Sequence, residues 1–173
     1  MKTQVLFRKI HHWGSFIIAV PLVIMIGAGI VLMLKKDIDW IQPPTQRGTS
    51  VDVPMASLQQ MFDAAKSVPE AELTTWAELD RVDLKPDRGV AKFMAKNRWE
   101  VQVDTQTAEV LSVAYRRSDL FETLHDGSWF ADWTKHYLFL PAGIVLLLLW
   151  LTGVYLFTLT EYKKWQKRRK KRT

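Results

Sequence analysis

Four histidines carry the clearest chemistry in this 173-residue chain: His11, His12, His125 and His136. All four stand just before long apolar runs, His11 and His12 ahead of residues 16–34, His125 and His136 ahead of residues 137–160. A neutral imidazole is a good axial ligand for haem iron, so haem b is the candidate cofactor. Spacing adds to this, because His12 precedes Gly29 by 17 residues and His136 precedes Gly153 by 17. In an antiparallel hairpin of the two runs, His12 shares an end with Gly153 and His136 shares an end with Gly29. A glycine there removes side-chain bulk where a flat macrocycle could sit. The same residues have a plainer reading, in which interfacial histidines are solvated and the glycines let two helices pack closely.

Ligand geometry limits the haem reading. His12 and His136 sit at opposite ends of such a hairpin, roughly 30 Å apart by helix rise. His125 and His136 are about 16 Å apart along a continuous helix. His11 and His12 are adjacent and point in different directions. Two axial histidines at one iron therefore need a second copy, a partner subunit, or a sharp bend between His125 and His136.

Other chemistry is thin. The chain has no cysteine, hence no thiol nucleophile or thiolate metal site. It has no Gly-rich phosphate loop, no His-Glu-x-x-His and no Gly-x-Ser-x-Gly, so no catalytic residue is assigned. The carboxylate pairs Asp37/Asp39 and Glu70/Glu72 read as solvated surface, and His125-Asp126 lacks a placed nucleophile. With flavin and nicotinamide motifs missing, any electron donor is another protein or a quinol.

The elements that must position the histidines are two membrane spans. Residues 137–160 contain no Asp, Glu, Lys, Arg or His. About 24 helical residues exceed the ~30 Å of bilayer hydrocarbon. The run at 16–34 is also long enough to span. A signal peptide is its rival, but that needs a shorter apolar region and a small-residue cleavage site, and Lys35-Lys36-Asp37 follows instead. Residues 161–173 form a polybasic tail. Residues 37–136 hold 11 Lys+Arg against 17 Asp+Glu, so the basic excess sits at the two ends. That pattern argues against nucleic acid and for a lipid bilayer. The expected topology places both termini in the cytoplasm and residues 37–136 in the periplasm of an inner membrane.

The segments divide as 1–36 (lead and first span), 37–48 (Pro-rich linker), 49–118 (a small domain), 119–136 (return segment), 137–160 (second span) and 161–173. Within the domain, Met55, Leu58, Met61, Phe62 and Ala65 recur at helical spacing, predicting a helix from Pro54 to Ser67. After Pro69 the period becomes two. Val82, Val90, Trp99, Val101, Val103, Leu111 and Val113 are the candidate sheet residues, in three or four antiparallel strands. The helix is the expected cover of that sheet. The fold class is thus membrane α+β: a two-helix transmembrane hairpin with an inserted domain of one helix on an antiparallel sheet.

This order resembles the bacterial PepSY-associated transmembrane family. Ile10-His11-His12-Trp13-Gly14 resembles the stretch that opens the family's first helix, with His12 in place of an arginine. Val101 to Val110 resembles the strand–turn–strand of a PepSY domain, with Ala108 where the turn usually has glycine. Leu124-His125-Asp126-Gly127 and Leu151-Thr152-Gly153 resemble a later Leu-His-x-Gly and Thr-Gly pair. Many relatives carry four or more spans, against two here. The resemblance implies a periplasmic PepSY-like domain on inner-membrane helices. Some larger relatives are haem-containing reductases of ferric siderophores, and activity does not transfer with fold. Two function classes follow. One is a haem-binding electron-transfer protein or ferric reductase component. The other is a non-catalytic periplasmic binding or assembly module. Either works as a homodimer or as a subunit of a larger membrane complex.

Overall fold

The computed structural model describes residues 2–170, with side chains described from Val5 to Arg168. The basic positions Lys2, Arg169, Lys170, Lys171 and Arg172 lie outside the described side chains. The chain forms two units: Ile30–Glu122, and the residues up to Gly29 together with those from Thr123 onward.

The second of these is a pair of long helices, α1 (Lys2–Met33) and the helix that ends the chain. The latter begins as a turn at Asp132–Thr134, widens into a π-helical turn at Lys135–Phe139 and continues as α-helix over Leu140–Lys170. Pro141 has no N–H to offer the turn before it, which is where the wider π geometry falls. The pair is antiparallel: the Phe7 ring meets Tyr155 edge-on at 5.5 Å, and Ile18, Ala142 and Leu149 are buried between the helices. Outside that seam the apolar side chains are bare, with Phe16 and Ile17 each 74% exposed. A core helix of a soluble domain would be mostly covered, whereas here 17% and 11% of the apolar windows are buried. Both helices are long and apolar enough to cross a membrane.

The Ile30–Glu122 unit has its own core. Strands β1 (Leu79–Lys85), β2 (Val90–Ala95), β3 (Trp99–Asp104) and β4 (Val110–Tyr115) form one antiparallel sheet in the order β1-β2-β3-β4. All seven sheet residues expected from the period-two pattern fall in these strands. Helix α2 (Leu58–Lys66) lays Met61, Phe62 and Ala65 on Ala91, Phe93, Val101 and Val103. The Phe62 ring stacks on Trp76 at 4.2 Å.

Two expectations change. The helix starts at Leu58, not Pro54, and Met55 is 79% exposed. Ser57 caps it in a box with Gln60, and the Met55 and Ala56 amides both donate to the Thr105 carbonyl, which holds them extended. Leu58, expected inward, is half-exposed in the first turn.

The helix is also not the sheet's only cover. The Pro-rich linker lies across the other face, which is polar and yet buried. Gln46 N–H donates to Gln102 Oε1 at 2.8 Å, and Gln102 Nε2 donates to the Pro44 carbonyl at 2.9 Å. A Cβ on Gly48 would overlap the Gly89 carbonyl oxygen, so this close approach needs glycine. Asp104 accepts from the amides of Thr49, Gln106 and Thr107. Burial pushes its carboxyl pKa up, and these donors more than reverse that, leaving it below the usual aspartate value. Prolines and glycine forbid a helix or strand here, but they leave carbonyls and amides free to pair with side chains of the sheet.

The β3–β4 turn keeps its left-handed residue without glycine. Ala108 has φ 59° and donates its N–H to the Asp104 carbonyl at 3.0 Å. The left-handed region penalises a Cβ by roughly 1–2 kcal/mol, while glycine gives back about 0.4–1 kcal/mol through a freer unfolded chain. Ala108→Gly is therefore expected to stabilise the domain by about 0.5–1 kcal/mol, raising its thermal midpoint. A lowered midpoint would show that the turn is unstrained.

Candidate functional site

Helix phase decides which histidines face the seam. On α1, His11, Ser15, Ile18 and Leu22 recur at three- and four-residue steps and line one cleft against Leu149 and Gly153. This cleft has a volume of about 380 Å³ and apolar walls. A Cβ on Gly153 would lie 3.9 Å from His11 Cε1, so the bare glycine borders the imidazole. His12, one residue on, turns away and meets Trp13 edge-on at 5.5 Å. The glycine partner at this end is thus His11, where spacing pointed to His12.

The other end changes in the same way. His136 lies in the π-helical turn and is exposed. His125 takes the place beside Gly29 instead. Its Nδ1 lies 2.8 Å from the Met25 carbonyl oxygen, and a Cβ on Gly29 would come within 3.2 Å of its ring. Glycine at 29 thus lets the imidazole reach the helix backbone. A carbonyl only accepts, so Nδ1 carries the proton, which leaves Nε2 as the nitrogen that can hold a lone pair. A ring nitrogen pinned to a backbone carbonyl while the other stays free is how ligand histidines are commonly oriented. The chain bends just after His125, at Gly127 with φ 82°. The Thr134 hydroxyl donates to the Gly127 carbonyl and holds that bend. His125 is a candidate from the sequence, but spacing pairs Gly29 with His136, because the link of His125 to Gly29 depends on this bend and not on a helical count.

The site therefore consists of two histidine–glycine pairs, His11 with Gly153 and His125 with Gly29. Positions 11 and 29 of α1 are about 27 Å apart by helix rise, so the pairs cannot share an iron. Among the described residues no three His, Cys, Asp or Glu side chains group as a metal site. The residues fit a haem edge at His11, where an imidazole and the bare Gly153 border a cleft with apolar walls; at His125 the ring itself fills the space over Gly29. Each pair offers one imidazole.

A family model described as "PepSY-associated TM region" matches residues 8–173. No curated protein and no solved structure matches the chain.

Proposed function

Because the chain belongs to the PepSY-associated TM region family, we propose that it is an inner-membrane electron-transfer protein that holds haem b at its two histidine–glycine pairs. The observation that carries this is His125, whose Nδ1 is fixed by the Met25 carbonyl over Gly29 so that Nε2 is left as a ligand. At the other end of the hairpin His11 borders Gly153 along the apolar cleft, with a Cβ there 3.9 Å from its ring. Haem bound there would supply one-electron redox chemistry on both sides of the bilayer. The protein's own part is to orient the His125 imidazole and to border His11 with apolar walls. In a homodimer whose two-fold axis runs beside His11 and His125, the copies of these residues would hold the haem together. His12 and His136 remain as reserve donors at the same ends. The charge asymmetry supports cytoplasmic termini and a periplasmic domain. The acceptor class is then ferric iron, with the activity residing in a reductase component.

A second reading, a non-catalytic binding or assembly module, is favoured by Val53 and Met55, each 79% exposed on the domain. The visible spectrum of protein purified from haem-supplied cells separates the two. The electron-transfer reading expects a Soret band, diminished in His11→Ala and in His125→Ala and barely changed in His12→Ala. A preparation without a Soret band leaves the binding module.

A further inference from the structure

The helix that ends the chain does not stop at the end of its apolar run. It stays helical past Thr160 to Lys170, since Lys, Arg, Gln and Glu are good helix formers. With 3.6 residues per turn, Lys163, Lys164, Lys167 and Arg168 fall within an arc of about 140°. Tyr162 and Trp165 lie on the opposite flank, their rings stacked with centroids 6.1 Å apart. Lys164 is paired with Glu161 at 2.6 Å. Lys163, Lys167 and Arg168 are exposed and have no acidic partner among the described residues.

Depth decides what such a face meets. By helix rise, Lys163 lies about 4–5 Å beyond Thr160 and Arg168 about 12 Å beyond it. The headgroup layer is roughly 5–8 Å thick on each side, and long basic side chains reach back along the helix into it. Tyr and Trp are the residues that seat in this layer. We propose that Lys163, Lys167 and Arg168 form a binding face for the phosphate of anionic phospholipid headgroups. An acidic polypeptide would meet the same cations, but it gives no reason for an aromatic flank on the far side. The proposal rests on this helix crossing a bilayer and not on haem.

The test uses the full chain in neutral detergent, offered equal amounts of phosphatidylglycerol and phosphatidylcholine. Bound lipid is counted by native mass spectrometry. Phosphatidylglycerol should be retained in preference, and Lys163→Gln/Lys167→Gln/Arg168→Gln should lose the preference. Each cation near an anionic surface is worth about fivefold in affinity, so the triple variant should lose on the order of a hundredfold. The charge-keeping Lys163→Arg/Lys167→Arg variant should retain it, with unchanged helical circular dichroism throughout. Equal retention of both lipids by the wild type, or a preference that survives the triple variant, overturns the proposal. The first of those outcomes would leave the face to an acidic polypeptide. Neither outcome bears on the visible spectrum, so the electron-transfer reading stands or falls separately.

Discussion

Glu100→Ala is expected to destabilise the domain by about 3–5 kcal/mol, the range seen when one partner of a buried ion pair is removed. Glu100 lies on the linker-covered face of the sheet, 1% exposed. It accepts from Lys92 Nζ at 3.1 Å, Gln102 Nε2 at 2.7 Å and Arg116 at 2.6 Å. Arg116 in turn meets Asp119 at 3.1 Å. Burial alone would lower the Arg116 pKa, but these two carboxylates outweigh it and hold the guanidinium charged. Alanine leaves Lys92 and Arg116 buried with one carboxylate, Asp119, between them. It also frees Gln102, which holds the linker. Glu100→Gln keeps the shape and an acceptor but not the charge, and should fall between alanine and wild type. Urea unfolding of the full chain, followed by tryptophan fluorescence, measures both. A loss below about 1 kcal/mol for alanine would mean that water reaches the network, since exposed pairs are worth that little.

The second large effect concerns the two glycines, which look equivalent in sequence and are not. At Gly29 an added methyl would stand 3.2 Å from His125 Cε1 and 3.3 Å from Nδ1, tighter than ordinary contact. The ring must retreat, and the 2.8 Å approach of Nδ1 to the Met25 carbonyl lengthens. A hydrogen bond of this kind contributes about 1 kcal/mol net. At Gly153 the same methyl stands 3.9 Å from His11, an ordinary van der Waals distance. Gly29→Ala should therefore lower stability by about 1 kcal/mol and remove about half of the Soret absorbance if each pair holds haem. Gly153→Ala should leave stability within error. Stability lost without a spectral change at Gly29→Ala would mean that His125 only staples the helices. Equal sensitivity at the two glycines would contradict the geometry.

Much of this protein was determined by its sequence alone. Charge-free runs longer than a bilayer dictate two long apolar helices, because in hydrocarbon a backbone must satisfy its own hydrogen bonds. The change from helical spacing at Met61, Phe62 and Ala65 to alternation at Trp99, Val101 and Val103 dictates one helix on an antiparallel sheet, since each period buries a single face. Tertiary structure decided the rest. Met55 fits the helical period, yet it is held extended by the Thr105 carbonyl, a residue 50 positions away. A run such as Ile41-Gln-Pro-Pro-Thr reads as a bare linker, yet the sheet's buried Gln102 and Asp104 and the Ser118 amide give its amides and carbonyls partners. The histidines show the same division. Their types and their places beside apolar runs are written in the chain. Which of each pair meets a glycine depends on the helix phase that puts His11 and not His12 in the seam, and on the bend at Gly127 that brings His125 and not His136 to Gly29. The phase is fixed by packing between segments more than 90 residues apart, and the bend by Thr134 reaching back to Gly127, neither of which helical spacing encodes.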